Sequence, residues 1–92
     1  MLYLICYDIV QDRRRTKVAN LLGAYGLRIQ KSVFEAVLPP TDYERLEARL
    51  LRLLDLDTDQ LRFYPLGKRQ RSQTKVLGIQ PDYAIDDPAI VV

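Results

Sequence analysis

The chain has 92 residues, 48% of them apolar and 28% charged, with a formal net charge of +2 and no histidine. A single domain of this size buries roughly 60% of its unfolded surface, enough for a modest core, and no apolar run approaches the ~18 residues of a membrane span. With histidine absent and Cys6 the one cysteine, zinc sites of the usual ligand sets and Ser-His or Cys-His nucleophile pairs are excluded. Any catalysis therefore rests on carboxylates, hydroxyls, cations or a hard metal ion. Cys6 lies inside an apolar run and reads as a small core residue of a reducing compartment. The amino terminus carries no positive segment or cleavage site of a signal peptide, so the expected location is the cytoplasm.

Residues 2–7 are apolar or aromatic with no polar alternation and are too few for a helix, which predicts a strand buried on both faces. Asp8 is the first polar side chain it meets. The carboxyl end of a central strand is where open α/β sheets place their chemistry, and also where plain turn residues sit. Asp12 reads as an N-cap, and Val18, Leu21, Leu22 and Tyr25 at helical spacing predict a helix over 13–25, with Gly26 as its left-handed terminator. Arg13, Arg14 and Lys17 fall mostly off the apolar stripe near the helix start. The dipole disfavours cations there, so an anion is expected nearby.

Residues 27–38 read as strand with a polar break at Gln30-Lys31-Ser32, where a hairpin or bulge makes two strands of it. Pro39 and Pro40 stop the sheet because proline cannot donate to a ladder. Thr41 and Glu44 have capping-box spacing, and Tyr43, Leu46, Leu50, Leu53 and Leu54 predict a second helix ending near 54, with Arg45, Glu47, Arg49 and Arg52 as its solvated face. Asp55, Asp57 and Asp59 make an acidic turn without the glycine and closing glutamate of a calcium loop. Residues 60–66 read as strand, 67–74 as a mobile basic loop without an apolar side chain, and 76–79 as a short strand ended by Pro81. The tail closes on an apolar stretch, 89–92, that either adds a strand to a partner or is disordered.

Charge is segregated. Arg13, Arg14, Arg15, Lys17, Arg28 and Lys31 follow one another without an intervening acid, as do Arg62, Lys68, Arg69, Arg71 and Lys75. Such a distribution fits either a basic surface for a polyanion or simply two solvated faces. The element order, strand, helix, strand, strand, helix, strand, with one extra strand, predicts an α+β ferredoxin-like (split βαβ) sandwich over 1–80 and a tail over 81–92. Two helices cover one face of such a sheet, so a first strand apolar on both faces needs a second cover. A second copy of the chain is the simplest one, which predicts a homodimer with Asp8 near its two-fold axis.

Tyr7-Asp8-Ile9 closing the first strand, Arg13-Arg14-Arg15-Thr16-Lys17 opening the helix, Gly26 followed by Arg28-Ile29-Gln30-Lys31-Ser32-Val33-Phe34-Glu35, and Leu61-Arg62-Phe63-Tyr64-Pro65-Leu66 together resemble the CRISPR-associated protein two family (Cas-two). The resemblance spans about residues 1–79. It implies a ferredoxin-like homodimer that bridges dimers of the CRISPR integrase and holds the duplex DNA destined to become a new spacer. It also implies a magnesium- or manganese-dependent endonuclease on RNA or DNA, with Asp8 as the metal residue and Tyr7, Arg15, Arg28, Ser32 and Phe34 around it. Lys17 stands where some members have arginine, which keeps the charge and loses the bidentate fork.

Magnesium is commonly held by one or two carboxylates with phosphates and water, so two Asp8 residues meeting at a two-fold suit one ion against a phosphate of DNA or single-stranded RNA. Without a cation the two carboxylates repel, which couples metal affinity to pH. Arg13, Arg14, Lys17, Lys68, Arg69 and Arg71 are the expected backbone phosphate contacts. Other readings of the same residues are a DNA clamp in which Asp8 only holds the turn, a stand-alone ribonuclease toxin of related fold, and a small-molecule regulatory dimer.

Overall fold

A computed structural model describes residues 1–79 and, as strand backbone, Ile90–Val91. The elements run β1 (Leu2–Asp8), α1 (Asp12–Gly23), β2 (Leu27–Gln30), β3 (Val33–Val37), α2 (Pro40–Leu53), β4 (Gln60–Leu66), α3 (Lys68–Gln73), β5 (Lys75–Val76) and β6 (Ile90–Val91). The first four strands form one antiparallel sheet in the order β2-β3-β1-β4. The expected ferredoxin-like sandwich is therefore formed, with β3 inserted between β1 and β2.

Directly paired residues of an antiparallel sheet share a face. Ile5 lies opposite Phe34 and Phe63, and on this side α1 and α2 contribute Val18, Leu21, Leu22, Leu46 and Leu50 to the core. Ile5, Val18 and Leu46 are wholly inaccessible, and each such side chain contributes about 2 kcal/mol relative to exposure. The other face carries Leu2, Leu4, Cys6 and Asp8 of β1, aligned with Val37, Glu35 and Val33 of β3 and with Leu66, Tyr64, Arg62 and Gln60 of β4. Within one chain this second face is only partly covered. Leu4 and Cys6 are half-buried, and Val37 and Tyr64 are 54% and 42% exposed.

Several expectations about element ends are corrected. Helix α1 begins at Asp12, so the cap position falls on Gln11 and Asp12 sits in the first turn, paired with Arg15. Gly26 is not left-handed, because the one positive φ among the described residues is Gly78 at 93°. Gly26 is required for closeness instead: a Cβ there would lie 2.2 Å from the Glu35 carbonyl oxygen and 2.7 Å from the Ala36 Cβ. Helix α2 starts at Pro40, whose missing N–H costs nothing in the first turn, so Thr41 lies inside the helix and its capping box does not form.

The basic stretch 67–74, expected to be a loop, holds the short helix α3 after the extended Gly67. Lys, Arg and Gln are good helix formers, and apolar periodicity cannot register a helix without apolar residues. Ser72 Oγ donates to the Arg69 carbonyl at 2.7 Å and Thr74 Oγ1 to the Gln70 carbonyl at 2.8 Å, closing its last turn. The strand expected over 76–79 is shorter and earlier: Lys75–Val76 pairs in parallel with Ile90–Val91. Strand β6 thus pairs within the chain. Pro81, the boundary at 80/81 and the rest of the tail lie outside the described residues.

Candidate active site

Strand β1 delivers Asp8 to the sheet's end, the turn before α1 follows, and the β2–β3 hairpin closes the third side. These elements bound a cleft of about 540 Å³ lined by Tyr7, Asp8, Ile9, Arg15, Thr16, Ala19, Asn20, Arg28, Lys31 and Ser32. Five of the six residues expected around a catalytic centre, Tyr7, Asp8, Arg15, Arg28 and Ser32, are therefore brought together. Phe34 is not among the lining residues. It is 2% exposed and stacks on Tyr7 at 6.3 Å between centroids, so no base can reach its ring.

Lys31, absent from the sequence-based site, organises this cleft through its backbone. Its carbonyl oxygen accepts from Tyr7 Oη at 2.9 Å and from Arg28 Nε and Nη2 at 3.1 and 2.6 Å. The Arg28 guanidinium also lies 5.6 Å from the Phe34 centroid, within range of a cation–π contact. Phe34 and the Lys31 carbonyl thereby fix Arg28 at the rim. Arg15 is held by a bond from Nη1 to the Ile9 carbonyl at 3.2 Å and by the ion pair with Asp12. The Tyr7 amide donates to the Ser32 carbonyl at 3.1 Å, which ties the hairpin to β1. The sequence cues to Lys31 were the polar break in the hairpin and its place in the acid-free basic run.

Asp8 is exposed, and among the described residues nothing donates to its carboxylate. It also borders a shallow depression on the open sheet face, with Cys6, Gln60, Arg62 and Tyr64. The turn is held by a different aspartate. Asp59 accepts from the Val10 amide at 3.1 Å, from Arg14 Nε at 2.8 Å and Nη2 at 3.1 Å, and from the Asp55 amide at 3.0 Å. Arg14, expected on a phosphate, is thus engaged inside the chain, with Nη1 on Gln11. The Arg14 guanidinium, offset in part by burial and helped by the Asp55 and Val10 amides, holds the Asp59 carboxyl far below the usual carboxylate range.

A depressed folded-state pKa gives stability that is complete above the unfolded value and lost as pH falls below it, here below about pH 4. Asp59→Asn is accordingly expected to lower the melting temperature at neutral pH and to flatten its decline on acidification. A variant whose acid profile overlays the wild type would remove Asp59 from this role.

The remaining expected phosphate contacts are dispersed. Arg13 is exposed on α1, Lys68 and Arg69 are exposed on α3 with Arg71 half-buried, and Lys17 lines a separate groove between α1 and α2. Among the described residues no group of three or more acidic or thiol side chains could hold a metal ion. No described helix is long and apolar enough to cross a membrane.

The family model for CRISPR associated protein Cas2 matches residues 1–74. This chain belongs to the Cas2 family. A CRISPR-associated endoribonuclease Cas2 of Synechocystis is 45% identical over 80 residues, 87% of each chain. Among solved structures, Cas2 of Streptococcus pyogenes superposes with a TM-score of 0.75 at 36% identity, covering 85% of this chain and 100% of its own. A chain of a partial Cas6-RT-Cas1–Cas2 complex superposes with a TM-score of 0.69 at 35% identity, covering 79% of this chain and 80% of its own. The matched segment runs from β1 through α3 and so contains the whole cleft.

Proposed function

We propose that this chain acts in CRISPR adaptation as a homodimer that joins the integrase Cas1, holds duplex DNA, and cleaves RNA or DNA phosphodiesters with magnesium at Asp8. The observation that carries the nuclease reading is the unpartnered Asp8 carboxylate at the corner between a cation-rimmed cleft and the open sheet face. The relatives' names support it, and the complex containing Cas1 supports the partner.

The donor set suits a hard cation only in part. Among the described residues nothing competes for the Asp8 oxygens, and Asp8 is the single carboxylate in the lining of the cleft and the depression, so the reading needs Asp8 from two protomers. The partly exposed face bearing Leu4, Val37 and Tyr64 supports pairing of two copies around it. A bound magnesium ion supplies Lewis-acid polarisation of a phosphoryl oxygen. The chain's own residues bind and orient: Arg28 and Arg15, fixed by carbonyls, present cations to the phosphate, and Lys31 adds a third. With no histidine in the chain, no imidazole serves as general base, and the attacking water is activated by the cation in this reading.

Arg13, Lys68 and Arg69 extend the surface along the phosphate backbone. Duplex DNA affinity is expected to fall by about tenfold or more between 50 and 200 mM salt, as release of several counterions requires. A flat salt dependence would sink the clamp, and a monomer in light scattering at micromolar concentration would sink the shared site. Retention of Cas1 on the immobilised chain tests the partner.

A further inference from the structure

The helical side of the molecule carries a second groove, of about 510 Å³, lined by Lys17, Asn20, Leu21, Ala24, Arg49, Arg52 and Leu53. Its rim holds three cations and its lining no acid. Among the described residues none of Lys17, Arg49 and Arg52 makes an ion pair or side-chain hydrogen bond. Helix dipoles account for one of them, since Arg52 lies in the last turn of α2. Lys17 sits in mid α1 and Arg49 precedes the last turn of α2, beyond the reach of that effect. Three like charges gathered around one depression repel one another and so favour an anion between them.

The floor decides what kind of anion. Leu53 is half-buried and Ala24 exposed, with Leu21 beneath them, so a cationic rim surrounds an apolar base. A phosphate backbone uses the rim alone. An acidic protein segment that also presents an apolar side chain uses both, with the charges setting partner choice and the apolar contact supplying the anchor. The groove lies on the helix side, opposite the sheet face bearing Leu4 and Tyr64, so pairing of two copies through that face leaves it accessible.

We propose that the α1–α2 groove is a docking site for an acidic, leucine-bearing segment of a partner protein, separate from the Asp8 cleft. The test uses a short labelled peptide of glutamate and leucine, its glutamine counterpart, and labelled duplex DNA, measured by fluorescence anisotropy on the full chain. The glutamate peptide is expected to bind and the glutamine peptide not to bind. The Arg49→Glu, Arg52→Glu double variant is expected to lose about tenfold, the sum of two modest exposed pairs, while Arg45→Glu on the same helix leaves binding unchanged. Leu53→Ala is expected to weaken the peptide and spare DNA. Loss of DNA affinity in the double variant without peptide binding would overturn the proposal and assign the groove to the nucleic-acid surface. Equal binding of both peptides, or of neither, would also overturn it. Circular dichroism melts of each variant, with Arg49→Gln, Arg52→Gln as a gentler pair, separate lost docking from lost fold.

Discussion

Asp8→Asn is expected to reduce magnesium-dependent phosphodiester cleavage by about 10²-fold or more while leaving the fold, the dimer and duplex DNA retention intact. The size follows from weakening the hold on the cation, whose Lewis-acid contribution at the phosphoryl oxygen is worth several kcal/mol. The selectivity follows from geometry, because no described residue donates to this carboxylate and its removal therefore breaks no internal bond. Asparagine keeps the shape and one oxygen while removing the charge. Wild type and variant are purified identically and compared with magnesium, with manganese and with a chelator. Equal activity in the two would assign the cleavage to a contaminant and leave the molecule as a clamp. If asparagine lowered the melting temperature substantially, Asp8 would be serving the turn after all, the part that Asp59 plays through the Val10 amide.

Gly26→Ala is expected to destabilise the fold by about 3 kcal/mol, at the upper end of overpacking costs. The added methyl carbon would stand 2.2 Å from the Glu35 carbonyl oxygen and 2.9 Å from the Ala36 Cα, both backbone atoms of β3. A side chain could rotate away, but a central strand cannot withdraw without breaking its ladder to β1, where Tyr3 pairs with Ala36 and Leu4 with Glu35. Since total stability for a domain is only ~5–15 kcal/mol, the change consumes a large share of it. Urea denaturation, read at the midpoint with unchanged slope, measures the effect. A shift no larger than that of Gly23→Ala, where nothing lies within 4 Å, would show that close approach is not why glycine stands there. Because β3 also carries Phe34, a variant that folds with a displaced strand is expected to loosen Arg28 as well.

The sandwich was legible from the chain because its strands and two long helices announce themselves by burial pattern. Residues 60–66 matched β4 at both ends, and of the polar break at Gln30-Lys31-Ser32 the last two residues lie between β2 and β3, Gln30 closing β2. Helix α3 was missed for the same reason, since Lys68–Gln73 buries no side chain and leaves no periodic trace. Caps were misread because Asp12 and Thr41 have the right chemistry, while cap position is set by where the preceding chain turns, at Gln11 and Pro39.

For the site, residue types and their resemblance pointed to Tyr7, Asp8, Arg15, Arg28 and Ser32, and the fold gathers these five around one cleft. The sequence by itself narrowed the donor chemistry: without histidine and with one cysteine, carboxylates, hydroxyls, cations or a hard metal ion remained. It also determined the sheet, through an apolar first strand that has to be central. Only the tertiary structure decided which aspartate is free. Asp8 and Asp59 are both aspartates at strand ends, and nothing local separates them. The distinction arises because β4 returns beside β1 and brings Asp59 under Arg14, a partner 45 residues away, while Asp8 emerges at a corner where none of the described residues donates to it. Long-range pairing sets which polar groups are satisfied, and satisfaction decides which of two identical side chains stays available for chemistry.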